Sequence, residues 1–141
     1  MNRRIVLMCC VGCSLILFGF KGNTLQELLE MAKSYAAIGM HDKAVNYYNK
    51  AIAIDPKSED AYRARAFYYL NRDKRQLALD DLTTAIGIAP ESSEIYVSRG
   101  LILLSDKKKD LATQDFKHAC DLKSESGCGF FKEISSINQQ H

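Results

Sequence analysis

The chain has 141 residues, 47% apolar and 26% charged, with two Pro and no Trp; this composition is globular and excludes a disordered or low-complexity chain. Its net charge is +2, but Arg3, Arg4 and Lys21 precede the first acid, Glu27, and without them 16 bases face 17 acids. A body with no basic excess has little with which to neutralise phosphates, which argues against nucleic acid as a partner.

The first 24 residues read as an address. Arg3 and Arg4 precede sixteen uncharged residues, Ile5 to Phe20, and Lys21, Gly22 and Asn23 end the run. A basic start followed by an apolar run is the layout of an export signal. As a helix the run would span ~24 Å, short of the ~30 Å hydrocarbon core, so a signal peptide fits slightly better than a full span. Three fates fit the segment: a cleaved signal, an uncleaved membrane anchor with Arg3, Arg4 and Lys21 at the headgroups, or a lipoprotein carrying its lipid on Cys13. Cys10-Val11-Gly12-Cys13 resembles a weak bacterial lipobox. As a metal or redox dyad, Cys10 and Cys13 have no second half nearby.

From Leu25 the chain repeats without a gap. Leu25–Ser58, Glu59–Ser92 and Ser93–Ser126 align in three copies 34 residues apart. Ala44, Ala78 and Ala112 recur at that interval, as do Tyr48, Leu82 and Phe116, then Ala51, Ala85 and Ala119. Earlier in each unit come Leu28, Tyr62 and Tyr96, then Ala32, Ala66 and Gly100, then Tyr35, Tyr69 and Leu103. Residues at i, i+4 and i+7 share one helix face, so a small–large–small set lets one helix press closely on a partner. Pro56 and Pro90 end one unit and open the next, because Pro cannot continue a helix interior. Each unit is therefore two antiparallel helices, and the units must stack to bury their apolar faces.

On these residues the chain resembles the tetratricopeptide family over 102 consecutive residues. The resemblance implies an all-α, right-handed solenoid of three antiparallel helix pairs over 25–58, 59–92 and 93–126. A C-terminal capping helix over 127–141 and the N-terminal apolar segment over 1–24 complete the chain. Phe130, Phe131 and Ile134 supply the apolar face of the cap. At the seventh position of the unit, usually apolar, stand Arg65 and Arg99; their stems are expected to lie over the core with the charge in water.

The resemblance also implies a function. In this family the first helix of each unit lines a concave groove. The corresponding positions here are Gln26, Leu29, Lys33 and Ala36, then Asp60, Arg63, Phe67 and Leu70, then Glu94, Val97, Leu101 and Leu104. Leu29, Phe67, Val97 and Leu101 form an apolar band, with Lys33 and Arg63 beside it. The expected partner is a protein or peptide with apolar anchors and one acidic group. Family members that clamp a chaperone's C-terminal carboxylate use Lys, Asn and Arg at set positions. Leu29, Lys33, Ala64, Glu94 and Ser98 stand there, so no such clamp is expected.

Cys120 and Cys128 fall in ACDLKSESGC, which is similar to the cysteine-bearing turn of Sel1-like repeats. That similarity implies a disulfide across adjacent helices, and a tight helix–turn–helix can hold two Cα atoms within the required ~4.4–6.8 Å. No Gly-rich phosphate loop, H-E-x-x-H or Ser/His/acid set is present, and His41, His118 and His141 read as surface residues. Neither a metal, a cofactor nor a small-molecule substrate is expected, and the membrane is expected to be met only through the N-terminal segment. The reading is of a non-catalytic, exported scaffold or assembly factor of a bacterial envelope, either periplasmic or membrane-anchored and facing the periplasm. The alternatives are a self-association module, or a membrane-anchored accessory subunit that uses its convex face.

Overall fold

A computed structural model describes residues 24–138. The apolar segment with Cys13 and the Cys10–Cys13 dyad lies outside the described residues, as does His141. Seven helices are described: α1 Leu25–Ala37, α2 His41–Ile54, α3 Glu59–Leu70, α4 Arg75–Ile88, α5 Ser93–Ser105, α6 Lys109–Asp121 and α7 Glu125–Asn138. They pair as α1·α2, α4 against α3, and α5·α6, with α7 on α6. No strand occurs among the described residues, and no helix there is long and apolar enough to cross a membrane.

Local chemistry sets the boundaries. Thr24 opens α1 with a capping box: its hydroxyl accepts from the Glu27 amide at 3.2 Å, and its own amide donates to the Glu27 carboxylate at 3.1 Å. The Ser58 hydroxyl accepts from the Ala61 amide at 3.2 Å and opens α3 in the same manner. Within each unit the helices turn at one left-handed residue, Gly39 (φ 76°), Asp73 (φ 56°) or Lys107 (φ 61°). The next amide then donates back to the first helix, Met40 to Tyr35, Lys74 to Tyr69 and Lys108 to Leu103, each at 2.9 Å. Only the first of these turns has the residue that tolerates positive φ without a steric cost. Lys107→Gly is therefore expected to raise stability by about 0.5–1 kcal/mol, read as a higher midpoint in thermal melting.

The small residues do what their spacing requires. Ala32, Ala44, Ala51, Ala78, Ala85, Ala112 and Ala119 are fully buried, and Tyr48, Leu82 and Phe116 fill the space between them. Gly100 is more demanding, since a Cβ there would stand 2.8 Å from the Phe116 ring. The core forms two clusters, one around Leu28, Tyr48 and Tyr68 and one running from Leu82 through Phe116 to Ile134; Tyr69 packs against both.

The two arginines correct the expectation of charges left in water. Arg65 donates through Nε and Nη2 to both carboxylate oxygens of Asp81, at 2.8 and 2.6 Å. Arg99 does the same to Asp115, at 2.9 and 2.7 Å. Asp81 and Asp115 are buried. The remaining Nη1 reaches the preceding repeat, to Asn49 from Arg65 and to Thr83 from Arg99. Each arginine thus pins its own two helices and the unit before it.

The cap begins at Glu125, two residues ahead of the expected 127. Lys123 (φ 64°) and the Ser124 amide, donating to the Ala119 carbonyl at 3.0 Å, close α6 onto α7 with the same turn used inside a repeat. Gly127 allows the approach, because a Cβ there would fall 2.6 Å from the Ala119 Cβ and 3.0 Å from backbone. Phe130 then meets Phe116 at 5.1 Å between ring centroids, and Ile134 is buried. Across this turn the Cys120 and Cys128 sulfurs lie within bonding distance, with Cα atoms 4.4 Å apart.

Candidate functional site

The first helices, α1, α3 and α5, leave two furrows between them, a mixed one between α1 and α3 and a mostly apolar one between α3 and α5. Between α1 and α3 a depression of about 360 Å³ is lined by Gln26, Leu29, Lys33, Asp60, Arg63 and Phe67. It continues into one of about 570 Å³ bordered by Ala36, His41, Tyr48 and Asn71. Between α3 and α5 a third, of about 330 Å³, is walled by Ala66, Phe67, Leu70, Leu101 and Ile102, with Arg75, Ser98 and Ser105 at its rim. Phe67 borders all three depressions and is 53% exposed; Leu101 and Leu104 follow at 42% and 36%. Phe67 is thus an aromatic ring open to water on a rigid helix, with the apolar α3–α5 hollow on one side and the more polar α1–α3 furrow on the other, which makes it a ready anchor point.

The other expected groove residues fall differently. Leu29 is buried at 4% and floors its depression rather than projecting into it. Val97 is half-buried against the second core cluster. Lys33 is exposed and donates to Glu30 at 2.9 Å. Arg63 bridges Asp60, at 2.7 Å, and Glu94 of the next repeat. Burial alone would lower the Arg63 pKa, but the hydrogen bonds to Glu94 and Asp60 more than offset it and hold it above its ordinary value. Lys33 and Arg63 are therefore already matched by carboxylates, whereas Arg72, on the edge of the 570 Å³ depression, is in no ion pair among the described residues.

Sequence reasoning missed two contributors. Arg75, opening α4, rims the α3–α5 hollow and donates to Asp106 at 3.2 Å; it stands outside the first helices, so groove periodicity does not find it. His41, expected at the surface, is the half-buried first residue of α2. Its carbonyl accepts from the Tyr68 hydroxyl at 3.4 Å, and its Nδ1 is buried without a partner among the described residues. His118 is exposed as expected, with its ring 4.3 Å from that of Tyr96. No cluster of three or more His, Cys, Asp or Glu placed to hold a metal occurs among the described residues.

Two profiles described as tetratricopeptide repeat match the chain, over residues 25–67 and 93–126. The chain belongs to the tetratricopeptide repeat family. The matched stretches are the first and third units defined by the 34-residue spacing, the first running nine residues into the second.

Among solved structures, the TPR domain of Arabidopsis OM64 is similar at 25% identity and a TM-score of 0.68, with 81% of this chain and 96% of that one covered. The P58(IPK) TPR domain is similar at 28% identity and a TM-score of 0.68; 82% of this chain corresponds to only 33% of that one. The second TPR of Spaghetti (RPAP3), bound to the HSP90 peptide SRMEEVD, is similar at 25% identity and a TM-score of 0.62, over 71% of this chain and 93% of that one. No curated protein matches the chain.

Proposed function

We propose that this tetratricopeptide array is a non-catalytic scaffold that holds a peptide segment of a partner protein in the furrow of α1, α3 and α5. The observation that carries this reading is Phe67, exposed on a rigid helix beside the apolar α3–α5 hollow, with Leu101 and Leu104 beyond it. The peptide-bound Spaghetti domain supports a peptide as the class of partner. The chemistry of the peptide should differ. Lys33 and Arg63 are matched by Glu30, Asp60 and Glu94, so an acidic tail would find no free cation at these positions and would face Glu94. A peptide with two apolar or aromatic anchors, spaced to fill the hollows on either side of Phe67, fits better than one ending in carboxylates.

The test is selection from a displayed peptide library on the full chain, with Phe67→Asp/Leu101→Asp as comparison and helical content checked by circular dichroism. Recovered peptides should carry paired apolar anchors, bind the wild type and lose at least tenfold in affinity to the double variant, a change of about 1.4 kcal/mol or more. SRMEEVD should not compete. Equal binding to both proteins would move the contact off the furrow and favour the self-association or convex-face reading.

We also propose that the scaffold works on the outer side of a bacterial cytoplasmic membrane, on the strength of the basic-then-apolar start at Arg3 to Phe20. An oxidising compartment would join Cys120 to Cys128. Protein purified from it should show the loss of two hydrogens in its intact mass. Reduction should then lower stability by about 2–3 kcal/mol, mainly by freeing the cap. Full-length protein recovered from the cytoplasm with both thiols free would sink this reading of the location.

A further inference from the structure

We infer that the N-terminal face of the first repeat, which no described residue covers, rests on the headgroups of an anionic membrane when the apolar run Ile5 to Phe20 is retained there as a tether. In the second and third repeats the seventh position is an Arg that reaches back to the preceding unit, Arg65 to Asn49 and Arg99 to Thr83. In the first repeat that position is Met31, on the first described helix, and it is 38% exposed. The partner position, Asp81 and Asp115 in the later units, is Tyr47. The Arg–Asp bond is thus replaced at the end of the array by a thioether and a phenol.

These residues belong to one surface. Met31 and Tyr35 on α1 and Ile38, the residue that closes it, follow one another at i, i+4 and i+7, and Lys43, Tyr47, Lys50 and Ile54 form one stripe of α2. The stripes meet where Tyr35 stacks on Tyr47 at 5.2 Å. Lys43 lies 5.3 Å from the Tyr35 ring centre and Lys50 lies 4.8 Å from that of Tyr47. Ile38 is 68% exposed and Ile54 55%. Neither lysine is ion-paired among the described residues, unlike Lys33 and Arg63 of the furrow.

The composition and the position select the occupant. Aliphatic tips, amphipathic tyrosines and unpaired lysines are what an interface of acyl chains, glycerol and anionic headgroups accepts. A second copy meeting the same face about a two-fold axis would gather four unpaired lysines, Lys43 and Lys50 of each copy, into one interface. The chain itself supplies the proximity. Only Lys21, Gly22 and Asn23 separate the apolar run ending at Phe20 from Thr24, and three residues reach at most about 10 Å. If the run is retained in a bilayer, α1 starts at its surface.

The experiment uses the full chain reconstituted in vesicles. The chain has no Trp, so Met31→Trp gives a single reporter on the face; Ile38→Trp is a second one should the first perturb packing, and Phe67→Trp reports the furrow. The lipids are phosphatidylcholine with or without phosphatidylglycerol, carrying a headgroup quencher. In anionic vesicles the face reporters should be blue-shifted and quenched several-fold more than the furrow reporter. Lys43→Glu/Lys50→Glu, or neutral vesicles, should bring them down to its level. Equal quenching at face and furrow in vesicle-bound protein overturns the inference. So does quenching that ignores lipid charge, failure of the chain to float with vesicles, or a blue shift in detergent that grows with protein concentration, which would assign the face to a second copy. None of these readouts touches peptide binding at Phe67, so the furrow reading stands or falls separately.

Discussion

Asp115→Ala is expected to destabilise the array by about 2–4 kcal/mol, read as a drop in the urea midpoint, because it leaves the Arg99 guanidinium without its charge partner in a mostly dry site. Asp115 is 5% exposed, and its carboxylate takes two charge-assisted hydrogen bonds from Arg99 at 2.9 and 2.7 Å. Breaking a fully buried pair costs about 3–5 kcal/mol; the Arg99 side chain retains 24% of its exposure, so some water reaches the orphaned cation and the figure is lower. The pair is not thereby a large net source of stability. Arg99→Met/Asp115→Leu removes both charges and is expected to fall within about 1 kcal/mol of the wild type. What the charges add is register: Nη1 of Arg99 also donates to Thr83, which fixes where the third repeat sits on the second. The bonds to Asp115 raise the Arg99 pKa above its ordinary value. A raised basic pKa stabilises the fold at every pH below the unfolded value and is lost only in strong alkali, so the contribution should be flat across the neutral range. A double variant as weak as Asp115→Ala would show that the pair acts through packing rather than charge.

The repeat was legible because steric rules are local and periodic. Ala44, Ala78 and Ala112 each have one reason to be small, the same reason in every unit, and the 34-residue spacing exposes it. The Arg–Asp pairs were encoded at the same interval: Arg65 and Arg99 each stand 16 residues before an Asp, and Asn49 and Thr83 are 34 apart. They were overlooked because amphipathic patterning assigns charged residues to solvent and does not consider a cation and an acid that enter the interior together. The furrow was half legible. First-helix periodicity found Phe67 and Leu101, which project. It treated Leu29 as their equal, although Leu29 packs beside Leu28 into the first core cluster. It also set Arg63 beside the apolar band to meet an acidic group of the partner, although a residue of the next repeat, Glu94, already neutralises it. Contacts between units depend on how the units stack, and a pattern read within one unit does not contain that. The cap boundary slipped by two residues for a similar reason: the α6–α7 turn copies the turn inside a repeat, not the proline junction between repeats.

Phe116→Ala is expected to cost about 3–5 kcal/mol, the usual loss for emptying a fully buried aromatic site. Phe116 is 0% exposed, packs on Phe130 of the cap and lies where a Cβ on Gly100 would stand 2.8 Å from its ring. One side chain therefore joins α5, α6 and α7. Stability in a stacked array is close to a sum of units and nearest-neighbour interfaces, so the damage should concentrate at the C-terminal end. Hydrogen exchange should show α5, α6 and α7 losing protection while α1 and α2 keep most of theirs. The geometry also sets a sign for coupling. Gly100→Ala alone should destabilise by about 1–3 kcal/mol, since its methyl group must displace the ring. In the Phe116→Ala background the ring is gone, and the same methyl enters the cavity. Its cost should fall toward zero, giving a coupling of about 1 kcal/mol or more in a double-mutant cycle. Additive losses would mean that Gly100 is required for its backbone and not for the ring above it. Uniform loss of protection across all seven helices would mean that the repeats fold as one unit, with the cap as stabilising for the first repeat as for the third.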